Sequence, residues 1–290
     1  MSGPHTILIT GARIGGGEPA DLAVRDGVLI DPADTGPEVE RIDADGLIAL
    51  PGFVDTHCHL REPGREDAET IESGTAAAAR GGYVAVLAMA NVNPVTDTGE
   101  AVEHMKAVAA ETSSAAVFPV GAVTKGLRGE ELAELGLMAR AGVRMFSDDG
   151  LCVHDSLVMR RALEYVRAFG GVIAQHAQDP RLAGPGACCH EGEISGRLGL
   201  GGWPAVAESV IVARDVQLAE FTRSRYHVCH VSTAESVEVI RWAKRRGINV
   251  TAEVCPHHLI LTDEHVRGYD AQFKVNPPLR TAADVAAVRQ

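Results

Sequence analysis

Short apolar runs alternate with longer amphipathic stretches from about Phe53 to the last residue. Seven of the runs predict strands, over residues 53–59, 83–91, 116–124, 143–149, 171–176, 226–231 and 249–255. Each is rich in Val, Ile, Ala or Phe, as expected of a strand covered on both faces. Between them the apolar spacing is helical, near 68–80, 99–111, 130–141 and 204–223. Asp155 reads as an N-cap, followed by Leu157, Val158, Ala162, Tyr165, Val166 and Phe169 along one face. Val237, Ile240 and Ala243 make a similar stripe further on.

Repeated βα units imply a parallel sheet, either an open doubly wound sheet or a (β/α)₈ barrel. Seven units are legible, and the helix after the seventh begins near residues 281–290, so a closed barrel needs one more strand. No Gly-x-Gly-x-x-Gly opens a helix after a strand, and Gly15-Gly16-Gly17 reads as a turn, which leaves a dinucleotide site without support. Residues 1–50 differ from the rest. They read as a small β-element with strands near 6–10, 22–24 and 28–30, and residues 51–290 as the barrel.

Composition narrows the class. At 290 residues and 46% hydrophobic content, the chain is large enough for one sizeable core. The net charge of −12 argues against nucleic acid or an anionic membrane as partner. No apolar run approaches the ~20 residues of a membrane span, and the N-terminus carries no signal-peptide pattern, so a cytoplasmic protein is expected. The cysteines Cys58, Cys152, Cys188, Cys189, Cys229 and Cys255 form no C-x-x-C pair and read as reduced thiols. Strand alternation turns Cys58 away from the face of its neighbours, so it reads as packing.

The residues able to do chemistry gather at the C-terminal ends of the strands. His57 and His59 lie at i and i+2, on one face of the first strand; Asn91 ends the second, Asp149 the fourth, His176 the fifth and His230 the sixth. In a βα barrel those ends form the catalytic face. Four imidazoles and a carboxylate suit zinc, and a bridging carboxylate can hold two ions ~3.5–4 Å apart. Parity leaves Asp148 and Asp149 as competitors on the fourth strand, and His227 and His230 on the sixth. His257 and His258, after Pro256, read as loop residues, the alternative being residues that support the metal ligands from behind. Arg61 is either a surface ion pair with Glu62 or Glu66, or a fork for a substrate carboxylate. Asn276 lies on a loop stiffened by Pro277 and Pro278.

PGFVDTHCHLREPG, ETIESGTAAAARGGY, FSDDG, QHAQ, HEGEISGRLGL, YHVCHVST, AEVCPHHL and KVNPPLR together resemble the class I dihydroorotases of the amidohydrolase superfamily, nearest the bacterial monofunctional type. The resemblance runs from about residue 5 to the end. It implies a distorted (β/α)₈ barrel binding one or two zinc ions. It also implies interconversion of dihydroorotate and N-carbamoyl-L-aspartate in pyrimidine synthesis. By motif, His57 and His59 bind the first zinc, Asp149 bridges, and His176 and His230 bind the second. Arg61 and Asn91 hold the substrate carboxylate, and Asn276 contacts the ring. A homodimer and an association with aspartate transcarbamoylase are the partners implied.

The fourth strand carries no lysine, which sets the chain apart from dihydropyrimidinases and allantoinases, the other cyclic amidohydrolases of this fold. Ala90 and Val92 flank Asn91 where the family tends to have Pro and Thr. The family's eighth strand, with an Asp-His-Ala-Pro-His motif and the general acid/base aspartate, is expected beyond Gln290. On that reading no catalytic acid/base lies in this chain, and little turnover is expected of it alone. The competing reading is a non-catalytic scaffold, against which five intact metal ligands argue.

Overall fold

The computed structural model describes residues 5–290. Two compact units separate at the first apolar strand, one ending at Phe53 and one spanning Val54–Gln290. The first holds β1 (Thr6–Ile14), β2 (Pro19–Arg25), β3 (Val28–Ile30), β4 (Glu40–Asp43) and β5 (Ile48–Ala49). β1 pairs antiparallel with β2 and parallel with β4 and β5, and β3 extends the hairpin of β2. The expected glycine turn follows β1: Gly15 and Gly16 have φ of +59° and +80°, which only glycine adopts freely.

The boundary falls after the first residue of β6 (Phe53–Cys58), and the second unit runs on through α1 (Ile71–Arg80), β7 (Tyr83–Ala88), α2 (Gly99–Thr112), β8 (Ala116–Pro119), α3 (Leu135–Arg140) and β9 (Met145–Phe146). It continues through α4 (Ser156–Arg167), β10 (Val172–Gln175), α5 (Pro180–Ala183), β11 (Ala187–His190), α6 (Glu193–Leu198) and β12 (Gly201–Trp203). It closes with α7 (Val206–Thr222), β13 (Arg225–Val228), α8 (Ala234–Arg245), β14 (Val250–Ala252) and α9 (Ala282–Arg289). Asp155 caps α4 as the sequence suggested, accepting from the Leu157 and Val158 amides.

All seven expected barrel strands are present, each shorter than its apolar run. They lie in the orders β6-β7-β8 and β9-β10-β13-β14. A parallel bridge between Gly121 and Phe146 joins the two sets, with Ser147 N donating to Gly121 O at 2.8 Å. The order follows the chain with no reversal, so the doubly wound alternative, which needs a switch point, does not apply. This is the layout of a (β/α)₈-type barrel.

The main core fills the space between the β9–β14 strands and their helices. It contains Phe146, Met159, Leu163, Ile173, Val212 and Tyr226, all essentially buried. A second cluster under β6 and β7 contains Leu60, Ile71, Val86 and Met105. Cys58 packs against this second cluster, and burial pushes its thiol up to about 11, in keeping with a packing role. The parallel pair β11 and β12 was not foreseen. It is an insertion of 4- and 3-residue strands after β10, too short and glycine-rich for periodicity to show.

Candidate metal centre

Four imidazoles from three strand ends converge on one carboxylate, Asp149, at a fourth. The two oxygens of Asp149 face two different histidine pairs. Oδ2 lies 3.3 Å from His57 Nε2 and 3.3 Å from His59 Nε2. Oδ1 lies 3.0 Å from His230 Nε2 and 3.5 Å from His176 Nδ1. Each oxygen with its two nitrogens is a three-atom donor set, and the carboxylate bridges the two sets.

Each ligand owes its place to a strand end. His57 is the penultimate residue of β6 and His59 lies just past its end, with Cys58 between them turned outward. His176 and His230 follow β10 and β13. His230 has φ +33°, an unusual conformation for a non-glycine residue and typical of strained functional sites. Glu208 fixes the chain just beyond it, accepting from the Ser232 and Thr233 amides.

Asp148 points the other way. Its carboxylate accepts from Val123 N at 2.7 Å, Thr124 N at 3.0 Å and the Thr124 hydroxyl. His227 also lies apart, bonded through Nδ1 to Thr251 Oγ1 at 2.8 Å. The geometry thus brings Asp149 and His230 to the cluster and leaves their sequence neighbours out of it.

Electrostatics agree with a cation site. Asp149 is buried, which by itself favours its neutral form. Hydrogen bonds from His176, His230, His57 and His59 outweigh this and hold its pKa far below the usual carboxylate range. Burial opposes charge on His57, yet Asp149, Cys229 and Glu253 raise its pKa well above normal. His230 is pushed down, mainly by burial. His176 Nδ1 and His230 Nε2 stand 3.0 Å apart while both face Asp149. A cation among these three atoms satisfies every lone pair at once, which a single shared proton cannot. The donor set therefore fits a metal.

With this geometry in hand, similarity to known proteins decides the family. A family model described as "Dihydro-orotase-like" matches residues 46–236. The chain belongs to the dihydroorotase-like family. Among curated dihydroorotases, the chain is 59% identical to that of Streptomyces coelicolor over 288 residues, covering 98% of this chain and 67% of the relative. It is 60% identical to that of Leifsonia xyli over 292 residues, covering 98% and 66%, and 54% identical to that of Mycobacterium tuberculosis, covering 98% and 67%. The chain thus spans about two thirds of the length of these relatives. Among solved structures, an L-hydantoinase (dihydropyrimidinase) from Arthrobacter aurescens superposes with a TM-score of 0.81 at 23% identity, covering 97% of this chain and 65% of that one. That likeness supports the barrel fold alone.

Arg61, Asn91 and Asn276, the other residues expected of a dihydroorotase, all line a cavity of about 760 Å³ together with the metal cluster. Neither carboxylate of the surface ion-pair reading engages Arg61. Glu62 accepts from Ile71 N at 2.7 Å and Glu66 from Gly64 N at 2.7 Å. Arg61 has φ +60°, so its backbone is held in a strained turn at the cavity edge. Asn91 is expected to hold the substrate carboxylate, and its amide is already hydrogen-bonded in this structure. Its Oδ1 accepts from His59 Nδ1 at 3.0 Å and its Nδ2 donates to Asp149 O at 3.1 Å, so the amide orients the metal cluster. Asn276 Nδ2 lies 3.5 Å from His176 Nε2.

The turn carrying Arg61 depends on Gly64, with φ +100°, where an added Cβ would stand 2.4 Å from Asn93 O. Gly64→Ala is expected to lose about 1–3 kcal/mol through strain and backbone displacement. Urea denaturation of the two proteins measures it.

Glu253 is the residue that sequence reasoning missed. Just past β14, its Oε1 lies 2.5 Å from His57 Nδ1, and its Oε2 accepts from Thr56 Oγ1 at 3.1 Å and lies 3.3 Å from His227 Nε2. Burial opposes its charge, but bonds to His227 and His57 keep its pKa low. A carboxylate on Nδ1–H fixes the tautomer that leaves His57 Nε2 for a metal. The available signal was its position, at the same strand end as every other chemically active residue. Glu253→Gln is expected to weaken metal binding about 10–100-fold, read by competition with a chromophoric chelator.

Proposed function

We propose that this chain is the zinc-binding barrel of a dihydroorotase, acting on dihydroorotate and N-carbamoyl-L-aspartate by opening and closing a cyclic amide. The observation that carries the reading is the bridging geometry of Asp149, one oxygen to His57 and His59, the other to His176 and His230. The sequence relatives support the substrate pair, because all those compared bear the name dihydroorotase.

His57 and His59 would hold one zinc ion, and His176 and His230 a second, with Asp149 shared. Zinc there supplies a Lewis acid for the ring carbonyl and brings the pKa of water toward neutrality. Asp149 remains ionised, so its charge offsets that of the bound cations. Asn91 fixes His59 and Glu253 fixes His57, which sets the direction in which each Nε2 points. Arg61, with no carboxylate partner among the described residues, is free to take the substrate carboxylate as a two-pronged donor. Asn276, beside His176, is placed to contact the ring amide.

Opening the ring also requires a proton for the departing nitrogen. Among the described residues, the carboxyl groups lining the cavity are Asp55, Asp149 and Glu253. Asp149 and Glu253 are engaged by histidines, and Asp55 accepts from His57 N at 3.0 Å. None of the three is a free acid, so binding tests the reading more directly than turnover. Zinc-loaded protein is expected to bind dihydroorotate at least about tenfold more tightly than dihydrouracil, which lacks the carboxylate. Calorimetric titration with both compounds checks this, and equal affinities would refute the substrate assignment.

A further inference from the structure

One turn in the cavity wall remains outside this account. After β14 the chain passes through Cys255, Pro256, His257 and His258, entering a 3₁₀ turn at Pro256–Leu259. One ligand atom from each of Cys255, His257 and His258 lies within 4.8 Å of the other two. Thiol and two imidazoles thus come from four consecutive residues, on a segment where proline fixes one backbone angle.

His258 supplies an independent sign of a missing partner. It is 2% exposed. Its Nε2 lies 3.1 Å from Pro277 O, an acceptor only, so Nε2 carries the proton and Nδ1 the lone pair. Nδ1 is buried and has no hydrogen-bond partner among the described residues. A buried unpaired nitrogen costs free energy unless something satisfies it. Burial pushes His258 down to about 4, so the ring stays neutral and its lone pair remains available. The His257 ring centroid lies 4.3 Å away, and Cys255 and His257 both line the large cavity.

We propose that Cys255, His257 and His258 form a separate site for one thiophilic divalent cation such as zinc. Two neutral imidazoles and a thiolate leave a net single positive charge on a bound divalent ion, and the donor types are those zinc prefers. Ligand atoms on one tetrahedral zinc stand about 3.3–3.7 Å apart, given Zn–N of about 2.0–2.1 Å and Zn–S of about 2.3 Å. Closing from the present spacing requires about an ångström of side-chain motion, which the partly exposed Cys255 and His257 can provide. Binding transfers the thiol proton to solvent and forms the sulfur–metal bond. Three protein ligands would leave the fourth tetrahedral position to water. The site uses neither Asp149 nor the four histidines around it, so it stands or falls separately from the function proposed above.

Cobalt(II) substitution of the purified chain tests this. A thiolate ligand gives a sulfur-to-cobalt charge-transfer band in the near ultraviolet, which a centre of nitrogen and oxygen alone lacks. The band is expected in the parent protein and in Asp149→Asn. Cys255→Ser is expected to lose the band together with one metal equivalent, and His257→Gln to weaken that equivalent about tenfold or more. Cys229→Ser, which removes the other thiol near the histidines, is expected to keep the band. Absence of the band in the parent, its survival in Cys255→Ser, or its loss in Cys229→Ser would each overturn the proposal. His257→Gln alters a half-buried side chain, so it keeps the test readable if Cys255→Ser folds poorly.

Discussion

Asp149→Asn is expected to abolish retention of zinc at the His57, His59, His176 and His230 cluster. Asparagine keeps the size of the side chain but removes its charge, and replaces one acceptor oxygen by an amide donor. That donor must then face one of the histidine pairs, where a cation has to sit. Both donor sets fail together, because each uses one oxygen of the same carboxylate. Metal analysis after dialysis should show zinc at this cluster falling to background, with binding of dihydroorotate lost as well. Retention of zinc there at parent levels would show that the carboxylate does not bridge.

The same substitution reports on the metal-free protein. His57 is largely buried and has its pKa raised by both Asp149 and Glu253, so removing Asp149 leaves the charged ring to Glu253 alone; losing one charged hydrogen-bond partner costs about 1.5–3 kcal/mol. The pH dependence has a definite sign. Asp149, with its pKa depressed in the fold, contributes stability above about pH 4 that is lost as acid protonates it. His57, with its pKa raised, contributes fully below about pH 6.5 and loses that contribution as pH climbs. For these two groups, metal-free stability is greatest between those limits. Zinc must expel the His57 proton, so zinc affinity should rise with pH by about tenfold per unit for that one proton.

Much of this centre was legible from spacing. Buried parallel strands write themselves as short apolar runs, and a barrel puts every strand's C-terminal end on one face, so polar residues there fall into register without an alignment. The choice between Asp148 and Asp149 was not legible, for a physical reason. β9 consists of Met145–Phe146 only, and the chain leaves it through Ser147, whose hydroxyl accepts from Asp149 N at 3.0 Å. Strand alternation has ended before the aspartates are reached. Glu253 was hidden differently. Its partner His57 is 196 residues away, and a lone glutamate at a strand end resembles a surface residue until the curvature of the barrel brings the end of the seventh strand within side-chain reach of the first. Asn91 was located correctly at the cavity, but the sequence could not show that His59 and the Asp149 carbonyl engage its amide.

Arg61→Met is expected to weaken dihydroorotate binding by about 10–150-fold, the 1.5–3 kcal/mol of hydrogen bonds to a charged group, while leaving zinc content unchanged. Methionine preserves most of the apolar stem, so the change isolates the guanidinium. The acidic neighbours Glu62 and Glu66 are already engaged by backbone amides, so the arginine is not needed to neutralise them and its loss should cost little stability. Dihydrouracil, lacking the carboxylate, should bind parent and variant alike. Arg61→Lys should fall between the two, because an ammonium restores charge without the planar pair of donors. Titration of the three proteins with the two compounds separates a recognition role from a structural one. If both ligands weaken equally in Arg61→Met, the residue shapes the cavity instead of reading the carboxylate. If only dihydroorotate weakens, the arginine discriminates a carboxylated ring from an unsubstituted one, which is the distinction a shared barrel and a shared metal centre cannot make.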